Sequence, residues 1–326
     1  MGDTADEDRL PDFFIVGHAK SGTTALYEML GRHPEIYVPE VKEPMFFARE
    51  PPAAAAKLSR FEQTGSRTET LEEYTSLFTS AAPSQRVGEA STFYLWSTSA
   101  PARIASAQPD AKIIAILREP ASFMRSLHLQ AVQNRTETET DLRRAVALED
   151  ERRAGRSIPP TAHWPRALMY TDRVRYVEQL QRYKDAFAPE QILVLIYEDF
   201  RIDNKATVRE VLRFLEVDDA VDLEPSEANP SVALRSVRLD RALRSLRAGR
   251  TPLSRAVKST VATVTTARLR REVLRPMRSR LLYGEPPAAD EAFLIELRHR
   301  FAGEVRALGE YLGRDLTTLW GYDEMD

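Results

Sequence analysis

Apolar residues along this chain fall into short unbroken runs that alternate with longer stretches in which they recur every third or fourth position. The runs Phe13 to Val16, Lys112 to Leu117 and Gln191 to Tyr197 read as buried strands, with a shorter strand near Arg86 to Glu89. Helical spacing predicts helices over Thr23 to Leu30, Pro101 to Ala107, Ala121 to Val132 and Thr171 to Phe187. Strands that alternate with helices imply a parallel sheet, because each parallel neighbour needs a crossover and the crossovers cover both faces. The expected fold class is α/β, three layers with a mostly parallel central sheet flanked by helices. No internal repeat interrupts it.

The first strand and helix are joined by the turn in FFIVGHAKSGTT, residues 13 to 24, where Gly17 and Gly22 bracket four residues. In such a turn the unpaired amides of the helix N-terminus and the positive end of its dipole converge, which favours a phosphate or sulfate. Hydroxyls of Ser21, Thr23 and Thr24 add donors. A nucleoside-triphosphatase loop of this glycine spacing continues with lysine after the second glycine, whereas Thr23 stands there and Lys20 lies inside the turn. The strongest later strand ends in Arg118 and Glu119 rather than in an aspartate that organises magnesium. On glycine spacing alone a tightly packed structural turn and a P-loop small-molecule kinase both remain open. A strand-end guanidinium offers a bidentate phosphate contact where ligands of open α/β sheets bind, and Ser126 follows it on the helix begun near Pro120.

Taken together, K-S-G-T-T at 20 to 24, KEPMFF at 42 to 47 and LREPASFMRS at 117 to 126 resemble the sulfotransferases that use 3'-phosphoadenosine 5'-phosphosulfate (PAPS). The resemblance continues through YEDF at 197 to 200 and GRDL at 313 to 316, and is weak at 136–165 and 240–284. It implies a P-loop nucleotide-hydrolase-like fold and the loss of adenosine 3',5'-bisphosphate as product, with no metal required. Carried over residue by residue, Lys20, Ser21, Gly22, Thr23 and Thr24 hold the 5'-phosphosulfate, and Arg118 and Ser126 hold the 3'-phosphate. Arg235 and Arg238 are added because the family often closes its site with basic residues at that point.

Sulfuryl transfer needs charge stabilisation on the departing phosphate, a base for the acceptor proton, and in-line positioning. Lys20 suits the first, since its interaction grows as charge develops in the transition state. Glu89, in VGEASTFYL, resembles the catalytic glutamate in E-K-x-x-x-Y-F of glycan sulfotransferases, although Ala90 replaces the usual lysine. Glu43 is the alternative base, at a position used by some bacterial members, and Lys42 beside it is a candidate contact for the sulfuryl group. Phe46 and Phe47 read as core. His18 reads as a loop-flank residue and His128 as a helix residue. The implied function is sulfuryl transfer to a hydroxyl or amine of a carbohydrate, glycolipid or secondary metabolite; a kinase and a non-catalytic nucleotide-binding protein are the alternatives.

Composition narrows the setting. The chain has 326 residues, 43% hydrophobic, enough for one large core, so residues 12–326 are expected to form a single domain behind a flexible N-terminus at 1–11. No apolar run approaches the roughly 20 residues of a membrane span, and the acidic start lacks a signal peptide's apolar region, so a cytoplasmic location is expected. The absence of cysteine removes thiolate chemistry, and five scattered histidines make a zinc site unexpected. The net charge of −3 conceals a basic segment at 235–284, whose Leu239, Leu243 and Leu246 form a helical seam. Its arginines suit an anionic acceptor or a peripheral membrane contact, and no nucleic acid is expected. That segment and 135–165, a charged helical stretch ending near His163 and Trp164, are the candidate acceptor-side elements; most charges in 135–165 are expected to be solvated.

Overall fold

The computed structural model describes residues 9–48, 70–162, 164–225, 233–234, 283–284 and 287–323. In chain order the elements are β1 (Phe13–Ile15), α1 (Thr23–Leu30), β2 (Ile36–Tyr37), α2 (Leu71–Thr75), β3 (Arg86–Ala90), α3 (Ala100–Ala107), β4 (Lys112–Leu117) and α4 (Pro120–Asn134). They continue as α5 (Leu142–Ala147), α6 (Glu149–Arg153), α7 (Tyr176–Lys184), β5 (Ile192–Ile196), α8 (Tyr197–Ile202) and α9 (Asn204–Leu215). Last come β6 (Ala233–Leu234), β7 (Tyr283–Gly284), α10 (Glu291–Leu312) and α11 (Leu316–Trp320).

Strands β1 to β5 form one sheet in the order β2-β3-β1-β4-β5, with every neighbour parallel. Consecutive strand residues face opposite layers. Phe14, Val16, Ile113, Ala115 and Leu117 pack beneath α3, α4, α7, α10 and α11, whereas Phe13, Ile15, Ile114 and Ile116 pack with α1, α8 and α9. Both sheet faces are thereby dry, which is why the strands read as continuous apolar runs. Each of the larger side chains among them, removed completely from water, contributes about 1.5–3 kcal/mol.

Two expected helices take a different form. The continuous helix over Thr171 to Phe187 is instead a 3-10 turn, Thr171–Val174, and then α7, with a non-helical break at Arg175. After that break Glu304 accepts from the Val177 amide at 2.9 Å in place of a helical carbonyl, and Glu149 accepts from the Thr171 amide at the start of the 3-10 turn at 2.9 Å. The charged stretch within 135–165 splits into α5 and α6, and three of its charges are internal rather than solvated. Arg152 and Glu137 form a fully buried ion pair at 2.8 Å, joined by the Tyr170 hydroxyl at 3.0 Å, and Glu149 is buried against Thr171. Full partnering makes such a network tolerable in the interior.

Candidate active site

The β1–α1 turn is built by two glycines with different duties. A Cβ on Gly17 would sit 2.4 Å from the backbone nitrogen of Ile116, so only glycine lets the end of β1 lie this close to β4. Gly22 is the N-cap of α1 with φ 85, a left-handed conformation, and a Cβ there would also meet the Phe200 ring at 2.9 Å. Lys20 shares the left-handed region at φ 66. Helix α1 starts with no capping side chain and no acid in its first turn, so its free amides face the loop.

Arg118 arrives from the C-terminal end of β4, the strand beside β1, and donates through Nη1 to the Lys20 carbonyl at 2.9 Å. Its guanidinium lies over the Tyr197 ring at 4.7 Å, and its own carbonyl accepts from the Tyr176 hydroxyl at 2.8 Å. The neighbouring acid does not neutralise it. Glu119 caps α4 by accepting from the amides of Ala121 and Ser122, and accepts from the Tyr322 hydroxyl at 2.7 Å. Burial, reinforced by Arg118, lowers the Lys20 pKa. Ser21 Oγ and Arg118 Nε are buried with no hydrogen-bond partner among the described residues. An uncapped helix start, two adjacent cations and orphaned donors fit a phosphosulfate. Ser126 is buried on α4, against which β6 packs. Arg235 and Arg238, together with His163 and the seam of Leu239, Leu243 and Leu246, lie outside the described residues.

The acids gather at the C-terminal end of β3, on the other side of β1. Glu89 is fully buried, and burial pushes its pKa up from the ordinary 4.5 to about 7 against the opposing hydroxyls of Tyr94, Ser91 and Tyr74. The Ser91 hydroxyl donates to Oε2 at 3.2 Å, while Oε1 has no hydrogen-bond partner among the described residues. The KEPMFF segment is pinned alongside, through the Glu43 amide to the Ala90 carbonyl at 3.0 Å and the Met45 amide to Ser91 Oγ at 3.1 Å. Lys42 pairs with Glu43 at 3.1 Å. Phe47 is core, and Phe46 stacks on Tyr74 with centroids 4.6 Å apart.

Sequence reasoning missed Arg173. It lies in the 3-10 turn before α7, 2% exposed, with its guanidinium 4.5 Å from the Trp96 ring and 5.6 Å from the Phe93 ring. Burial pushes its pKa down to about 9, opposed by Tyr176 and Glu43, so it remains a cation at neutral pH. His18 is also completely buried, packed on Phe123 at 4.6 Å and Tyr176 at 5.4 Å. Burial and then Arg173 drive its pKa well below the usual range, with Gln179 opposing, so it is neutral. Nothing in the one-dimensional pattern marks an inward-facing arginine, which lies in the 3-10 turn just before the break at Arg175. His128 is a helix residue held to the Glu139 carbonyl at 2.9 Å.

Comparison with known proteins decides the family. A model described as the sulfotransferase family matches residues 11–221. The chain belongs to the sulfotransferase family. A sulfotransferase from Alicyclobacillus acidocaldarius superposes with a TM-score of 0.57 at 30% identity, covering 76% of this chain and 96% of that one. The human bifunctional heparan sulfate N-deacetylase/N-sulfotransferase 3 is 29% identical over 214 residues, 64% of this chain and 23% of that protein. Mouse carbohydrate sulfotransferase 15 is 26% identical over 255 residues, 63% of this chain and 44% of that protein. The chain thus spans less than half the length of these two curated relatives. The kinase reading finds no support in any of them.

Within this sulfotransferase, YEDF and GRDL meet. Asp199 receives both guanidinium nitrogens of Arg314, one at 2.8 Å; Glu198 accepts from the Trp320 indole at 2.9 Å; and Phe200 backs Gly22. Tyr197 lies beneath Arg118. The two motifs therefore support the glycine turn from behind.

Proposed function

We propose that this sulfotransferase uses PAPS and transfers its sulfuryl group to a hydroxyl or amine of a carbohydrate or carbohydrate-bearing acceptor, releasing adenosine 3',5'-bisphosphate. The observation that carries this is the placement of an uncapped helix start with Lys20 and Arg118 at one strand end and, at the next, a buried glutamate with one carboxylate oxygen left without a partner among the described residues. The names of the heparan sulfate and carbohydrate sulfotransferase relatives support a carbohydrate acceptor. PAPS supplies an activated sulfur whose bond to the 5'-phosphate oxygen breaks as the acceptor oxygen or nitrogen bonds to it. The amides of the α1 N-terminus, with Ser21, Thr23 and Thr24, bind and orient the phosphosulfate. Lys20 stabilises the charge that collects on the departing phosphate oxygen, and Arg118 and Ser126 hold the 3'-phosphate, with Arg235 and Arg238 as further contacts.

Glu89 takes the acceptor proton on Oε1. With a pKa raised to about 7 it is a stronger base than an exposed carboxylate and is still half ionised at neutral pH. Glu43 is the lesser candidate because Lys42 occupies its carboxylate. Action in the cytoplasm, without a metal and on a small-molecule, glycan or lipid-linked acceptor, completes the proposal. Calorimetric titration of adenosine 3',5'-bisphosphate into the full chain, in chelator, tests it. Saturable binding is expected, and no heat of binding would end the PAPS reading.

A further inference from the structure

A cation sealed in a protein interior normally has an anion beside it, because the cost of stripping its water is otherwise uncompensated. Arg173 departs from that rule. Among the described residues no carboxylate lies within ion-pair distance of its guanidinium, and its Nε is buried with no hydrogen-bond partner. Glu43, the acid that acts on it, is already bonded to Lys42 at 3.1 Å. Its other neighbours are neutral: the rings of Trp96 and Phe93, the tyrosine Tyr176 and the uncharged His18. By contrast, Arg152, equally buried and in the adjoining segment, is fully met by Glu137. The fold can pair a buried arginine, and at Arg173 it leaves the fork open.

Its location gives the open fork a use. Arg173 packs on Trp96 and Phe93, in the stretch that follows the end of β3 and Glu89, while Tyr176, on the same segment as Arg173, packs on His18 of the phosphosulfate turn at 5.4 Å and donates to the Arg118 carbonyl at 2.8 Å. Aromatic faces flank it, as in sites that stack a sugar ring while a charged group fixes its orientation. We propose that Arg173 is the receptor for an oxyanion on the acceptor itself, a carboxylate or a sulfate ester on the sugar, and so selects acidic over neutral acceptors. The assignment rests on reading this region as the acceptor side of a sulfuryl-transfer site. Arg173 positions the acceptor and takes no part in moving the proton or the sulfuryl group. A planar guanidinium gives such an oxyanion two parallel hydrogen bonds and thereby fixes the direction from which the sugar presents its nucleophile.

The test uses the full chain and tetrasaccharides on glucose, galactose and N-acetylglucosamine backbones, each made neutral, with one uronate, or with one 6-O-sulfate. Wild-type protein is expected to bind a charged form at least about tenfold more tightly than its neutral counterpart, the scale of a charge-assisted bidentate contact. The uronate and sulfate arms tell which oxyanion is preferred. Arg173→Met should erase that preference while leaving affinity for adenosine 3',5'-bisphosphate unchanged, and Arg173→Lys should keep part of it. A merely structural arginine would leave no charge preference for Arg173→Lys to rescue. No charge preference in the wild type, a preference that survives in Arg173→Met, or loss of nucleotide binding in Arg173→Met would each overturn the proposal. Charge preference without any nucleotide binding would overturn the PAPS reading alone.

Discussion

The two sides of the proposed site are made from different materials. The proposed donor side is one turn of consecutive residues, Gly17 to Thr24, which offers largely backbone amides, with Arg118 added from the adjacent strand. The proposed acceptor side draws on Glu43, Glu89, Trp96 and Arg173, from four separate stretches that only folding brings into one region. Backbone recognition demands a particular conformation and therefore particular glycines. Side-chain recognition can be reached by many arrangements of residues, and it leaves a fainter trace in the chain.

Substitutions can break this contrast in order of severity. Glu89→Gln should lower kcat most, by about 10²–10⁴-fold, with nucleotide affinity intact, whereas Glu43→Gln should stay near wild type. Comparing the two by initial rates assigns the base; wild-type turnover in Glu89→Gln would remove it from that role. Lys20→Ala should come next, losing about 10²–10³-fold in kcat because its contact strengthens as charge develops on the leaving group. Unchanged turnover would show that the turn needs no cation. Arg118→Ala should chiefly weaken adenosine 3',5'-bisphosphate binding, by about 10–100-fold in calorimetry, and affect turnover little once donor is saturating.

Proton linkage gives a subtler separation. Glu89 keeps a proton in the folded protein up to about pH 7, while in the unfolded chain it loses it near 4.5, so folding stability is highest below 4.5 and falls as pH rises through 7. Activity runs the opposite way, rising through about pH 7 as the base ionises. Glu89→Gln should therefore gain up to roughly 3 kcal/mol over wild type between pH 4.5 and 8 in denaturant titrations, while losing its turnover. A pH-independent difference would contradict the buried base. The smallest effect is expected at Gly22→Ala, where left-handed backbone and the Phe200 ring together cost about 1–3 kcal/mol of stability, read as a lower melting temperature.

The sequence made the parallel sheet legible because dry strands are uninterrupted apolar runs: β4 and α1 have the expected limits, and β3 and β5 differ by a residue or so. The two-residue strand β2 carries too little pattern to be seen. Lys20 and Arg118 are legible because a turn and a strand end have local signatures, and the structure brings them together, with Arg118 donating to the Lys20 carbonyl at 2.9 Å. Arg173 was invisible for the complementary reason. Its stretch, YTDRVRYVEQL, has helical periodicity, and the glutamates that bond its amides on either side of the break, Glu149 and Glu304, are distant in the chain. The same tertiary logic hid the Arg152 and Glu137 pair inside a segment that looked like solvent-facing charge.

The family resemblance matches residues 11–221, but the hydrogen bonds do not stop there. Tyr322 holds Glu119, Trp320 holds Glu198 and Arg314 grips Asp199, so the last two helices are tied to the residues on which Arg118 and the glycine turn rest. A fragment ended at 221 would keep the glycine turn, Arg118 and Ser126 and lose all three ties. The unit that must be made and purified intact is larger than the unit by which relatives are recognised.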